Sequence, residues 1–385
     1  MKCGETMNKK QNWVIIILFL VLIFGMTGVS LLKPDREFSE KENRSLAQSP
    51  MLSVDDYFSG AFAKDYEAYI TDQFILRDEW IGMKTKVERA VGKQEINDIY
   101  FAKDNYLIEK HTGSFTTDTA KRNISSLAQF MQFCEEKYGE GHVTAMVVPN
   151  AVKVLEDKLP PFASPFDEAA YMGEIRDALP RGTWFDSLSV LEKHSQEELY
   201  YRTDHHWKTL AAFYVYEAWA KSVGLTPPAV TEYQVETVTE DFQGTIEAKV
   251  GGETVRDSIQ TFRLKEEAPY TLRYNRQEDT TDDLYHREAL DTREKYNVYF
   301  GGNQPIVEAD IQNESERRLL VIKDSYAHCF LPFTFHDFGE VDFVDLRYFN
   351  ESLKELLESK EYTDILFLYN ASGFAEDPSV AKLNH

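Results

Sequence analysis

The stretch Arg318-Leu319-Leu320-Val321-Ile322-Lys323-Asp324-Ser325-Tyr326 decides how this chain is read. An apolar run of strand length ends in a polar turn, and the turn carries a serine. Two more runs share its form, Val341 to Leu346 (VDFVDL) and Asp364 to Tyr369 (DILFLY). Upstream lie His142 to Pro149 (HVTAMVVP) and the short stretch Thr183 to Asp186. Helical spacing fills the gaps. Thr117 to Tyr138 places Ile124, Leu127, Met131 and Cys134 on one face, and Phe166 to Leu179, Lys208 to Val223 and Glu351 to Glu361 follow. Apolar strands alternating with helices predict an α/β fold around a mostly parallel sheet flanked by helices. Sheets of this kind bind ligands beyond the carboxyl ends of their strands. Ser325 falls there.

Outward from this core the pattern changes twice. Between about 226 and 316 the chain is rich in Thr, Glu and Asp. It has alternating segments at Tyr233 to Val238, Ser258 to Leu264 and Tyr296 to Phe300, and Gly pairs at 251–252 and 301–302. This predicts a β-rich insertion packed on the sheet or lining its mouth. Toward the N-terminus, an amphipathic helix is expected over about 60–91, with a possible interruption at Asp72 to Arg77 (DQFILR). A hairpin is expected over Asn97 to Glu109, turning at Lys103-Asp104-Asn105.

Trp13 to Leu32 (WVIIILFLVLIFGMTGVSLL) carries no charge. About 20 such residues span a bilayer as a helix. Lys2, Lys9 and Lys10 stand before it against Glu5, and the signs after it are mixed. The positive-inside bias puts residues 1–12 in the cytoplasm as a tail, 13–32 in the cell membrane as an anchor, and the rest outside. The alternative is a cleaved signal peptide, whose apolar region is about 7–15 residues. Residues 33–56 then form a polar linker and 57–385 an extracytoplasmic domain. Cytosolic cofactors do not reach that side, so none is expected. Cys3 lies on the wrong side of the span for a lipoprotein cysteine.

Composition narrows the function. The 385 residues hold 42 Lys and Arg against 65 Asp and Glu, a net charge of −23. Such a chain repels nucleic acid and anionic membrane surfaces. Three cysteines build neither a disulfide framework nor a Cys-based zinc module. A Cys134–Cys329 bridge is open to an oxidising compartment.

A second chemical signal is Tyr201-Arg202-Thr203-Asp204-His205-His206-Trp207, just before the helix expected at 208. The plainer reading makes Asp204 that helix's N-cap. The chemical reading pairs a carboxylate with an imidazole two residues on, the arrangement a general base needs to fix its tautomer and stabilise its charged form. For Ser325 the plainer reading is again an N-cap. The chemical one is a hydroxyl in a cleft with backbone N–H groups beside it. Jointly they suggest a triad in the order Asp, His, Ser. No G-x-S-x-G elbow is present, which excludes an ordinary α/β-hydrolase. First-row metal sites usually take three or four convergent ligands with a His spacing such as H-x-x-x-H, which Asp204, His205 and His206 lack, so none is expected. No Walker, Rossmann or EF-hand pattern occurs.

The chain closely resembles the bacterial DHHW protein family, named for the run Asp204-His205-His206-Trp207. That family is similar to the SGNH-hydrolase-like alginate O-acetylation proteins of the J and X types. The resemblance rests on Phe38-Ser39-Glu40-Lys41-Glu42-Asn43-Arg44, Asp72-Gln73-Phe74 with Arg77, Val148-Pro149, Lys158-Leu159-Pro160, the DHHW run, Lys323-Asp324-Ser325-Tyr326 and Asp345-Leu346-Arg347-Tyr348-Phe349. It implies an SGNH-type fold in which Asp204 orients, His206 is the base and Ser325 the nucleophile. Where the family usually has Gly before Asp-Ser, this chain has Lys323. Asn370 is a candidate for the oxyanion. Arg347 and Tyr326 are candidates for substrate or oxyanion contacts. Trp207 reads as a wedge holding the motif, and His205 as structural. The implied activity is O-acetyl transfer or acetyl-ester hydrolysis on a cell-surface polysaccharide. A membrane-bound O-acyltransferase partner would supply the acetyl group. The alternative is a non-catalytic glycan-binding or scaffold component of a polysaccharide modification or export complex.

Overall fold

The computed structural model describes residues 9–39, 44–251 and 255–384. Lys2, Cys3, Glu5, Glu40 to Asn43 and Gly252 lie outside the described residues. The chain divides into two compact units, residues 1–93 with 248–253, and residues 94–247 with 254–385.

The first unit opens with helix α1 (Lys9–Leu32). It is the one helix among the described residues long and apolar enough to cross a membrane. A two-residue pairing of β1 (Phe38–Ser39) with β2 (Arg44–Ser45) follows. Then come α2 (Val54–Ser59), α3 (Ala61–Gln73) and α4 (Arg77–Ala90). The expected long helix is therefore two helices, broken within DQFILR. Leu76 sits in the left-handed region at φ 55°, which costs a non-glycine residue backbone energy and ends the helix. Asp72 braces the break by accepting from the Arg44 guanidinium at 2.6 and 2.8 Å and from Ala47 N at 2.8 Å.

The second unit begins with a small antiparallel sheet of β3 (Glu95–Ile96), β4 (Ile99–Phe101) and β5 (Leu107–Glu109), the expected hairpin with one more strand. Next are α5 (Asp118–Tyr138), β6 (Val143–Val148), α6 (Ala151–Val154), α7 (Glu168–Ala178), α8 (Ser187–Lys193) and α9 (Thr209–Ser222). The hairpin-like β7 (Tyr233–Phe242) and β8 (Asp257–Leu264) flank α10 (Thr245–Val250). Strands β9 (Tyr270–Tyr274), β10 (Thr280–Thr281), β11 (Ile306–Ile311) and β12 (Arg318–Lys323) follow, then α11 (Leu331–Thr334), β13 (Glu340–Val344), α12 (Leu353–Ser359), β14 (Asp364–Asn370) and α13 (Ala371–Glu376).

The main sheet has seven strands in the order β10-β9-β11-β13-β12-β14-β6. The four from β13 to β6 are parallel, and β11, β9 and β10 add antiparallel. The sheet is thus mixed. Part of the expected insertion, residues 270–311, belongs to it. Tyr296 to Phe300 is not a strand; residues 295–298 form a 3-10 turn. Thr183 to Asp186 contributes only a single bridge, Trp184 to Ala145.

Alternation along the strands makes two cores. Leu319, Val321, Leu366 and Leu368 face one, with Trp207, Tyr216 and Trp219. Leu320, Ile322, Ile365 and Phe367 face the other, with Leu127, Met131 and Ile175. Cys329 lies in the first and Cys134 in the second; both are free and buried. The sheet stands between them, so the Cys134–Cys329 bridge does not form.

Parallel register gathers the strand ends at one edge. Lys323 aligns with Leu368, and Asn370 with Val148. Asn150, Ser325, Asp345 and Asn370 all follow from that alignment.

Candidate active site

Strand β12 ends at Lys323, and the chain tightens into a 3-10 turn over Ser325–Cys329. Asp324 caps this turn, its carboxylate accepting from Tyr326 N at 2.9 Å. Ser325 is therefore not the cap, and its hydroxyl is left for other work. That hydroxyl lies 2.8 Å from His206 Nε2. His206 Nδ1 lies 2.6 Å from Asp204 Oδ1, which also accepts from His206 N at 2.9 Å. Helix α9 takes Lys208 as its N-cap residue, not Asp204. Asp204, His206 and Ser325 are brought together in one hydrogen-bonded line, with both Asp204 and His206 buried.

Electrostatics suit proton transfer along that line. Burial drives the Asp204 carboxyl upward, but the His205 and His206 imidazoles and the Thr245 N–H outweigh it and hold the group well below the usual carboxylate range. An ionised Asp204 accepts from Nδ1–H, which leaves Nε2 as the acceptor for the Ser325 O–H.

The loop that carries Asp204 is built from far along the chain. Asp257 accepts from Arg202 N at 3.0 Å, from Thr203 N at 2.8 Å and from Thr203 Oγ1 at 2.7 Å. Thr245 N donates to Asp204 Oδ2 at 2.9 Å. Tyr296 stacks on the His206 ring at 3.9 Å and 16°. Gly244 is required by contact: a Cβ there would fall 2.1 Å from the Asp204 Cβ.

Trp207 is a wedge, wholly buried, with Nε1 donating to Tyr326 O at 2.8 Å. His205 points its Nδ1 at Thr245 Oγ1, 2.8 Å away, while its carbonyl accepts from Tyr326 OH at 2.5 Å. Asp204, His205 and His206 bring ligand atoms within 4.8 Å of one another. Those of Asp204 and His206 are taken up by the hydrogen bonds just described.

Three candidates sit elsewhere than the motif implies. Asn370 Nδ2 donates to Asp324 Oδ2 at 2.6 Å, and its Oδ1 accepts from Asn150 Nδ2, Ser372 Oγ and Gly373 N. Its amide is therefore spent on bracing the serine turn. The Tyr326 phenol is wholly buried between His205 O and Asn150 Nδ2. Arg347 grips Asp345 through Nε at 2.8 Å and Nη2 at 2.6 Å, and reaches Asn303. This is an ion pair at the strand end.

Asp345 also explains Lys323. The Lys323 ammonium is completely buried, 3.3 Å from Asp345 Oδ2 and 2.8 Å from His328 Nε2. Burial, then the Lys323 charge, push the His328 imidazole well below its ordinary value, so it accepts from the ammonium. The Lys323–His328 contact ties the two ends of the Ser325 turn together.

Sequence reading missed Asn150, Thr245, Tyr296, Asp257 and Glu168. Asn150 was legible, since it follows a buried strand as Ser325 does. Glu168 is buried and accepts from Asn150 N at 2.5 Å. No local pattern marks Thr245, Asp257 or Tyr296.

A DHHW family protein from Eubacterium siraeum has a similar structure, with a TM-score of 0.59 at 24% identity, covering 76% of this chain and 96% of that one. PatB1 of Bacillus cereus, solved with a sulfonyl adduct, also scores 0.59, at 18% identity over 73% of this chain and 98% of its own. The O-acetyltransferase domain of Pseudomonas putida AlgJ is matched at 13% identity over 72% and 92%, with a TM-score of 0.44. No curated protein matches the sequence. The DHHW protein family model matches residues 184–344, the span that holds Asp204, His206 and Ser325, and the resemblance of this chain to that family is thereby shown.

Proposed function

We propose that this chain is a membrane-anchored, extracytoplasmic serine O-acetyltransferase or acetylesterase of SGNH type acting on a cell-surface polysaccharide. The observation that carries the reading is the line Asp204–His206–Ser325, with contacts of 2.6 and 2.8 Å. Ser325 Oγ attacks the carbonyl carbon of an acetyl ester while His206 Nε2 takes its proton. The donor's oxygen leaves with that proton, and Ser325 is acetylated. A sugar hydroxyl then attacks the acetyl carbon, giving its proton to His206, and the proton returns to Ser325 Oγ as the ester departs. Water in place of the sugar gives hydrolysis. The Ser325 N–H, first in its turn, is the donor we assign to the oxyanion.

Three further points support the reading. Helix α1 suits an anchor with its N-terminus in the cytoplasm. PatB1 shares the fold, and its sulfonyl adduct is the kind of product a reactive nucleophile leaves. The family resemblance supplies the acetyl group, the polysaccharide acceptor and a membrane-bound O-acyltransferase as donor.

The test is p-nitrophenyl acetate turnover by the full chain in detergent, beside Ser325→Ala and His206→Ala. The expected result is turnover by the wild type and none above buffer by either variant, with unchanged melting temperatures. Equal rates for all three proteins reject the serine mechanism and leave glycan binding or a scaffold role.

A further inference from the structure

Helix α4 carries an apolar stripe that nothing in its own unit covers. Trp80, Met83 and Val87 recur at intervals of three and four residues, which places them along one face, and the cap residues Leu76 and Val91 stand at its two ends. Leu76, Trp80, Met83, Val87 and Val91 are 55, 41, 54, 56 and 78% exposed. The opposite face buries Gly82 and Thr85, and Thr85 Oγ1 donates to Val250 O at 2.5 Å. A contiguous exposed apolar face with a central Trp has a partner in the working protein.

The place of the stripe identifies the partner. Ile75 N, in the elbow before α4, donates to Ser30 Oγ in the last turn of α1 at 3.0 Å. Just beyond α1, Tyr69 OH donates to Asp35 at 3.1 Å, Arg36 N donates to Gln73 Oε1 at 2.9 Å, and the Arg36 guanidinium pairs with Asp78 at 3.1 Å. The elbow is thus bolted to the end of the apolar helix. If α1 spans the bilayer, the start of α4 lies at the bilayer surface. Charge agrees. Residues 33–93 hold 10 Lys and Arg against 12 Asp and Glu, whereas the whole chain carries −23. The chain's acidity, which opposes contact with a membrane, lies elsewhere. Lys84 and Lys86 flank the stripe on either side, with Glu79 and Glu88 beside them, and lysines so placed suit a helix lying in the interface.

We infer that α4 docks on the lipid surface, its Leu76–Val91 stripe seated at the headgroup–acyl boundary on the side of the membrane where α1 ends. This rests on the anchoring reading above, and the test separates the two. The full chain is made with Cys3→Ser, which leaves only the buried Cys134 and Cys329. Single cysteines are placed at Leu20, Met83, Val87 or Lys86 (Leu20→Cys, Met83→Cys, Val87→Cys, Lys86→Cys). Each is spin-labelled in nanodiscs of neutral and anionic phospholipid holding one copy. Collision with oxygen, which partitions into lipid, is compared with collision with a water-soluble nickel chelate.

The expected result is a lipid signature at Leu20, Met83 and Val87, with oxygen accessibility several-fold above nickel, and a water signature at Lys86. A lipid signature at Leu20 with water signatures at Met83 and Val87 overturns the docking and leaves the anchor standing. A water signature at Leu20 overturns both. Labels at Met83 and Val87 shielded from both reagents show the stripe covered by protein, and that also overturns lipid docking.

Discussion

Two aspartates flank Ser325, both buried, and they titrate in opposite directions. Asp204 lies beyond His206 on the histidine side. Asp324 precedes Ser325 on the serine side. Burial raises both. At Asp204 it is outweighed by two imidazoles and the Thr245 N–H, and the carboxyl falls well below its usual range. At Asp324 burial wins, and the carboxyl is pushed up to about 6 despite the Arg347 charge and the N–H groups of Asn370 and Tyr326. What opposes burial decides the outcome: two imidazoles and an N–H suffice at Asp204, and the groups around Asp324 do not. Asp204 touches the His206 imidazole, whereas Asp324 touches only neutral donors. In the proposed mechanism the first carboxylate serves the chemistry, and the second braces the turn.

Substitution at each aspartate breaks this comparison most sharply. Asp204→Asn keeps the size of the side chain and removes the charge, and it should cost about 10⁴-fold in kcat by favouring the wrong tautomer of His206. Asp324→Asn turns an NH₂ toward N–H donors, and should cost about 1–3 kcal/mol of stability with a far smaller loss of kcat. Ester kinetics and urea melts on the two variants decide it. Comparable losses of kcat would mean that both aspartates serve the proton transfer.

The serine side has a charge of its own at Asp345, which pairs with both Lys323 and Arg347. Asp345→Asn leaves a fully buried ammonium without its counter-charge, a change worth about 3–5 kcal/mol. A melting temperature within a degree or two of wild type would show that Lys323 is neutral or reaches another partner. Glycine contacts give the next effect. At Gly244 the first atom a methyl meets is the Asp204 Cβ at 2.1 Å, which cannot swing away. Gly244→Ala shifts the aspartate, and about 1 Å of misplacement costs about 10²-fold. At Gly373 a methyl meets the Asn370 amide at 2.5 Å and the Asp324 carboxylate at 2.9 Å, which brace the serine turn and lie outside the Asp204–His206–Ser325 line. Gly373→Ala should therefore lose less activity than Gly244→Ala, measured on the same ester.

The same contrast explains what was legible in the sequence. The serine side is made by neighbouring parallel strands, each an apolar run ended by a polar turn, so β12, β13, β14 and β6 were read with small errors at their ends. Within the site, the Asp204–His206 contact was legible because two residues suffice to make it. The rest of the histidine side was not. Asp257, Thr245 and Tyr296 reach it from 40 to 90 residues away, through a region whose alternation announces strands but not what they brace. Asn370 was a candidate for the oxyanion through the family resemblance and its place after a strand, and neither revealed that Asp324 claims its amide. The antiparallel β9 and β11 were misplaced for a related reason. Short alternating strands look alike whether they pair within an insertion or extend the main sheet.

The smallest predicted effect extends the comparison to pH. Glu168 braces Asn150 and, like Asp324, is wholly buried; burial pushes it up to about 8, only partly offset by the Asn150 N–H and the Lys153 charge. An unfolded carboxylate titrates near 4. Between those values the folded chain holds protons that the unfolded chain has released, so stability must fall as pH rises. Asp324 contributes to that fall up to about pH 6, and Glu168 up to about pH 8. Asp204 has the opposite sign, and its contribution is lost only as pH falls below about 4. Each pH unit in the Glu168 window is worth at most about 1.4 kcal/mol. Glu168→Gln keeps an oxygen for Asn150 N and has no proton to lose. Urea melts of both proteins at pH 5, 6, 7 and 8 should show the wild type losing stability more steeply, with the variant gaining on it most between pH 5 and 7 and less from 7 to 8. Parallel curves would mean that Glu168 is ionised in the fold, and that a charge or water reaches its second oxygen. The serine side would then hold its carboxylates as the histidine side does.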